Sequence, residues 1–357
     1  MKKKIVVAAV TAALAMPWAA QADKKVVGDA LVVYGKIHVS VDASDRDITG
    51  PDNTQDMSIS SNSSRLGFKG KHKMGDSNLT AIYKLEQEVS IGSGSADTFT
   101  TRNTYVGLKG FFGQVIAGKH DTPFKIVGSK WGVFGDSVGE RRAVLGAKSS
   151  GGNTMNQRGE NALMWSNKFG DVKAMAMYSA DASDDDPDVV DTKGDTLKSV
   201  GVLYQPKKGP FYFGAAYEDW DSLKGSATDG YRIMAGYKAG FGKVGFIYED
   251  ISSKDLNLDR SVYGVNGKFK IGKGLDLRGQ VLVADDSAAG PDTGATRVSL
   301  GIFKKFDKQT ELYAAYAQTD NDANAKYQGV DGGHGDEVKT ENGGSPSAFS
   351  VGIVYKF

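Results

Sequence analysis

Apolar and polar residues alternate with period two along most of the chain. Leu31, Val33, Ile37, Val39 and Val41 are interleaved with Tyr34, Lys36, His38, Ser40 and Asp42. The same rhythm returns in Leu79–Leu85, Phe211–Tyr217, Tyr231–Tyr237, Leu275–Val283 and Val298–Ile302, and the chain closes on Phe349, Val351, Ile353, Tyr355 and Phe357. Period two places alternate side chains on opposite faces and is the signature of strands. The pattern predicts about sixteen of them, each near the 9–11 residues that a tilted membrane strand needs.

The connections follow a second rhythm. One set is short, such as Phe111-Phe112-Gly113, Lys168-Phe169-Gly170-Asp171 and Ile271-Gly272-Lys273-Gly274. The other set is longer and polar, covering residues 43–61, 121–157, 181–195, 285–294 and 319–346. Short turns at one rim and long loops at the other are the layout of outer-membrane barrels. Aromatics gather near strand ends, as an interfacial girdle would require: Phe111, Phe112, Phe169, Phe211, Phe241, Phe269, Phe303 and Phe306. Backbone amides in lipid must all be paired, so only helices or closed barrels span a membrane. After the N-terminus no apolar run approaches a membrane helix. The expected fold is therefore an all-β transmembrane antiparallel barrel. A secreted array of soluble sandwiches shares the alternation but does not explain the paired loop lengths.

Residues 121–157 are too long for an ordinary connection. They carry enough apolar surface to pack on something: Phe124, Ile126, Val127, Trp131, Val133, Phe134, Val144 and Leu145. They also carry both signs of charge. Asp121, Asp136 and Glu140 stand against Lys125, Lys130, Arg141, Arg142 and Lys148. A packed, doubly charged loop within a strand array is expected to plug or constrict the barrel.

Composition narrows the reading further. Cysteine is absent, which excludes disulfides and thiol catalysis, and a net charge of +1 gives nucleic-acid binding no support. The mean hydropathy of −0.35 is far from that of a helical membrane protein. Lys2, Lys3 and Lys4, a short apolar run to Met16, and Ala20-Gln21-Ala22 form a secretory signal peptide, so cleavage is expected after Ala22, leaving residues 23–357 as the barrel.

Catalysis at a barrel rim would need a histidine with a partner. The histidines are His38, His72, His120 and His334, and only His120 adjoins an acid, Asp121. Neighbours in a strand face opposite ways, so the pair would not cooperate. No enzyme is expected. No local spacing suggests a metal site or a cofactor. The acidic run at 184–188 is a solvated loop or a bridge through divalent cations to lipopolysaccharide.

Several short motifs, in order and at consistent spacing over the whole mature chain, resemble those of the general Gram-negative porins of the trimeric, sixteen-stranded type. They are Val33-Tyr34-Gly35-Lys36, Ser64-Arg65-Leu66-Gly67-Phe68-Lys69-Gly70, Tyr105-Val106-Gly107-Leu108-Lys109-Gly110, Phe112-Gly113-Gln114 with Ala117-Gly118-Lys119, and the terminal Val354-Tyr355-Lys356-Phe357. The resemblance implies a homotrimer in the outer membrane, in contact with phospholipid and lipopolysaccharide. It implies a channel for passive diffusion of small hydrophilic solutes and ions, with a terminal aromatic read by the barrel assembly machinery. It also implies that loop 121–157 folds into the lumen, its acids facing basic residues on the wall. By position those are Arg65, Arg102, Arg158 and Lys36, opposite Asp136, Glu140 and Asp121.

Alternation puts Arg65 out of phase with Leu66 and Phe68, and Arg158 out of phase with Leu163 and Trp165, so both face inward. Arg102 does so only if Val106 also points in. Phe134-Gly135-Asp136 is similar to the family's loop turn, but Val133 stands where an acid is usual, and the loop's basic residues outnumber its acids. Cation preference therefore does not carry over. A substrate-selective porin for sugars or anions is the alternative; for sugars, the lumen would need a stripe of aromatics where this pattern places mainly Lys, Arg, Glu, Gly and Ser.

Overall fold

The computed structural model describes residues 24–49, 56–91, 99–182 and 195–357. The expected signal peptide and the acidic run at 184–188 lie outside them. One antiparallel sheet takes up most of these residues. Its staves are β1 (Leu31–Asp45), β2 (Asp56–Ser61 continued by Arg65–Lys73), β3 (Thr80–Val89), β4 (Phe99–Thr101 continued by Thr104–Gly110), β5 (Gly113–Asp121), β6 (Arg158–Phe169), β7 (Val172–Ser179) and β8 (Leu197–Tyr204). They continue as β9 (Phe211–Leu223), β10 (Ser226–Ala239), β11 (Gly242–Ser253), β12 (Arg260–Gly272), β13 (Leu275–Ala284), β14 (Ala295–Lys305), β15 (Thr310–Asn321) and β16 (Ser347–Lys356). A short arm, Lys24–Val27, pairs with the start of β1.

The sheet closes where β16 pairs with β1, from Ser347 opposite Asp45 to Lys356 opposite Lys36. Closure leaves no open edge, which a membrane requires. Phe357 finishes the seam: its backbone N–H donates to Gly35 O at 3.1 Å and its carbonyl accepts from Gly35 N at 2.8 Å. Its ring lies so close to Gly35 that a Cβ there would sit 2.3 Å from it. A side chain at 35 would force the terminal ring to move. The turns at one rim are short; the other rim carries the long loops, apart from the connection 254–259 and the hairpin Lys224-Gly225. Both its residues have positive φ, 50° and 87°, the conformation of a two-residue turn that matches strand twist.

The alternation of the sequence becomes an apolar outer band and a polar lumen. Tyr217, Val265, Leu300 and Ile302 are exposed on the outside, whereas Arg297 and Ser299 between them are buried inside. Two expectations need correction. Phe303 is 2 % exposed and does not join the girdle. It shares the inward phase of Arg297 and Ser299, stacks on Tyr313 and meets Phe134 edge-on. Val106 is 61 % exposed, so it points outward, yet Arg102 is buried inside. The register explains this. Gln87 pairs with Thr101 but Lys84 pairs with Tyr105, so β4 carries one extra residue at 102–103. A bulge of this kind re-aims a side chain against the strand's phase.

Residues 122–157 leave the wall between β5 and β6 and fill part of the lumen. The segment opens with helix α1 (Pro123–Trp131). Thr122 caps it, accepting a hydrogen bond from Lys125 N, and Pro123 occupies the first turn, where no amide partner is needed. α1 packs on β8, β9 and β10. Phe124, Val127, Trp131, Val144, Leu145 and Met155 join wall residues Met177, Leu203, Met234 and Ile247 in one buried cluster. The principal dry core of the described residues therefore lies inside the barrel, between loop and wall. Each such side chain contributes about 1.5–3 kcal/mol on burial.

Candidate functional site: a charged eyelet

Strand register sets up one side of the site. Lys36 on β1 lies directly opposite Arg65 on β2, Arg65 opposite Glu88 on β3, and Asp121 on β5 opposite Arg158 on β6. With Arg102, aimed inward by its bulge, these form a band of mixed charge across β1–β6. Lys36 beside Arg65 would repel. The loop answers with Asp136. Lys36 Nζ donates to Asp136 Oδ2 at 2.6 Å, Arg65 lies 3.8 Å from the same oxygen, and Arg142 reaches Asp136 Oδ1 at 3.1 Å. Burial alone would push the Asp136 carboxyl up, but Lys36, Arg142 and Arg65 together outweigh it and hold it well below the usual carboxylate range.

The remaining predicted residues are placed differently from one another. Arg158 Nε lies 3.2 Å from Asp121 Oδ1, which also takes Lys125 Nζ at 3.0 Å, while Asn103 donates to Asp121 Oδ2 at 2.9 Å. Arg102 does not reach a loop acid. Its Nε lies 3.1 Å from Glu86 Oε1, and another of its nitrogens contacts Glu88, so its partners are on the wall. Glu140 turns to its own loop, held by Arg141 at 2.7 Å and Arg142 at 3.0 Å, because the 3-10 turn Arg141–Ala143 folds both back onto it. Lys125, buried and beside Arg158 and Arg142, is pushed down to about 8 despite its contact with Asp121.

Together these side chains enclose a cavity of about 230 Å³. Its charged lining comprises Arg65, Arg102, Lys125, Arg141, Arg142 and Arg158 against Asp121, Asp136 and Glu140, a surplus of positive charge. Charge of both signs around a narrow gap sets a transverse field across it.

The opposite wall holds residues that sequence reasoning did not single out. Arg232 donates to Phe124 O at 3.1 Å, Asn266 to Trp131 O at 2.9 Å, and Arg278 to Val133 O at 3.1 Å. Arg297 donates to Val138 O at 2.5 Å, Gln280 to Gly139 O at 3.3 Å, and Arg260 to Val144 O at 2.8 Å. Six side chains from β10 and β12–β14 thus satisfy loop carbonyls that have no strand partner. Arg232 also pairs with fully buried Glu249, which accepts from Gly146 N at 2.7 Å. The available signal was alternation: these residues fall in the inward phase of successive strands. The pair His120–Asp121 forms no catalytic dyad; the ring Nδ1 meets the Asp121 main-chain oxygen at 2.8 Å, not its carboxylate.

Known proteins give the same picture at three levels. Over 129 residues the chain is 36 % identical to "Major outer membrane protein P.IB" of Neisseria sicca, covering 35 % of this chain and 33 % of that protein. The match thus spans about a third of that relative's length. The anion-selective porin from Comamonas acidovorans has the same fold, with a TM-score of 0.73 at 21 % identity, over 92 % of this chain and 99 % of that one. OmpT of Vibrio cholerae, solved in a trimer form, follows with a TM-score of 0.66 at 20 % identity, over 92 % and 100 %. The signature of the Gram-negative porins runs from residue 8 to 324. With that signature over most of its length, and a closed barrel narrowed by an inward-folded loop, the chain belongs to the Gram-negative porin family.

Proposed function

We propose that the protein is an outer-membrane channel for passive diffusion of small hydrophilic solutes and ions, with a preference for anions set at the eyelet. The observation that carries this reading is the lining of the cavity, six cations against three carboxylates. Arginine stays charged at any physiological pH, so the field is permanent. The anion-selective character named for the Comamonas porin supports the same reading, and it favours the anion-selective form of a substrate-selective porin over a sugar-selective one. Lys36, Arg65, Arg102 and Arg158 act from the wall, and Asp121, Asp136 and Glu140 temper them from the loop and its base. The trimer form of the Vibrio cholerae protein supports a homotrimer here. Its outward apolar band would meet phospholipid and lipopolysaccharide, and Phe357 would serve the assembly machinery as well as the seam.

The test is single-channel recording in planar bilayers under a gradient of potassium chloride. Anion preference gives a reversal potential of the sign set by chloride. A cation-signed potential at low salt contradicts the proposal.

A further inference from the structure

Above the eyelet, the outer loop 322–346 folds back over the wall. Ser63 Oγ donates to Gly333 O at 2.9 Å, and a Cβ on Gly333 would lie 2.1 Å from Asp136 Oδ1, so this loop rests directly on the acid that pairs with Lys36. The same fold-back brings His334 and Asp336 against Asp42 of β1. One ligand atom from each of the three lies within 4.8 Å of the others.

Two of these groups are left incomplete. Asp42 is 3 % exposed and His334 8 % exposed. Yet Asp42 Oδ1 and His334 Nε2 have no hydrogen-bond partner among the described residues. His334 Nε2 lies 3.3 Å from Asp42 Oδ2. Leaving buried polar atoms unpaired costs about 1–3 kcal/mol each, so an occupant that satisfies both is favoured. The surroundings suit one. His334 Nδ1 accepts from Asp336 N at 3.1 Å, so the unbound ring carries its proton on Nε2; on metal binding the proton moves to Nδ1, where Asp336 O at 3.3 Å and Ser60 Oγ at 3.4 Å stand within reach to accept it. Ser58 Oγ donates to the Asp336 carboxylate. Outer partners of this kind orient metal ligands.

We propose that Asp42, His334 and Asp336 bind one divalent transition-metal ion of the zinc class, clamping the outer loop to the wall beside the eyelet. Imidazole with two carboxylates suits zinc, whereas calcium and magnesium take oxygen ligands alone. Zinc bonds of about 2.0–2.1 Å ask the three ligand atoms to draw in modestly from their present spacing. Asp336 is only half-buried, which leaves room for a water as fourth ligand.

The experiment is calorimetric titration of zinc chloride into the folded full-length protein in detergent, with folding verified by heat-modifiable mobility. Saturable uptake of one zinc per chain is expected. H334A and D42N should each weaken it at least about tenfold, since even outer-shell changes cost that much, and D336N should weaken it too. H72A, at the far rim, should leave it unchanged. Absence of saturable uptake would overturn the proposal. So would uptake that H334A and D42N leave intact, or displacement of zinc by an equal concentration of calcium.

Discussion

The two walls of this barrel use the same residue type in opposite ways. On β1–β6, Arg65, Arg102 and Arg158 line the cavity with Lys36 beside them, and all four pair with carboxylates. On β10 and β12–β14, Arg232, Arg260, Arg278 and Arg297 are spent on backbone carbonyls of loop 122–157 and are almost wholly buried. Arg232 and Arg278 add a second contact, lying over the rings of Phe124 and Phe303 at 3.9 and 3.6 Å. One wall therefore supplies a field and the other a mount. The loop stands between them, pinned through its main chain on one side and offering Asp136 on the other. The comparison teaches that an inward arginine in a porin lumen is not by itself a selectivity residue; what matters is whether backbone or water lies over it.

The largest effect should come from the mount. R232A leaves Glu249 buried without its cation, and removing one partner of such a pair costs about 3–5 kcal/mol. The loop should loosen, with higher and noisier single-channel conductance and a lower temperature of barrel unfolding. Replacing Arg232 and Glu249 together by leucine should cost much less. Equal losses in the single and double variants would show that the pair is not what seats the loop.

W131A comes next. The indole is fully buried between loop and wall, and truncation of a buried aromatic costs about 3–5 kcal/mol. Protease nicking within 122–157 should rise while the barrel itself stays closed. A loop as resistant as the parent's would mean that the carbonyl contacts alone hold it. R65A, by contrast, should move the unfolding temperature little. Arg65 lies 3.8 Å from Asp136, too far for a hydrogen bond, and Asp136 keeps Lys36 and Arg142 when Arg65 is removed.

The sequence carried the barrel clearly because membrane strands must alternate and must close. It also located the eyelet loop, since 121–157 combines excessive length with apolar and charged residues. Arg65 and Arg158 were readable from phase alone. Arg102 was not, because a one-residue bulge at 102–103 breaks the phase on which that reading depends. Phe303 was misassigned for the reverse reason: an aromatic near a strand end is a girdle residue only in the outward phase. The carbonyl mounts were hidden because main-chain acceptors leave no trace in residue type. The cluster of Asp42, His334 and Asp336 was hidden because loop 322–346 joins distant parts of the chain.

A smaller effect separates the walls by pH. Lys125 is pushed down to about 8 by burial and by the neighbouring arginines. As pH rises from 7 to 9 it loses its proton, the eyelet loses positive charge, and anion preference should fall. K125M should reduce that change. The far-wall arginines, whose charges meet the loop rather than the gap, should contribute nothing to it. A reversal potential that K125M leaves equally pH-dependent would place the titrating group elsewhere.

The most direct test of the division between walls is the reversal potential of two variants in dilute salt. With Arg65, Arg102 and Arg158 all replaced by alanine, it should move toward cations. With D136N and E140Q together, it should move toward anions. Both shifts should shrink as salt approaches about 1 M, where the screening length is roughly 3 Å. If both variants keep the parent's reversal potential in dilute salt, the band on β1–β6 does not set selectivity and the account of the eyelet fails.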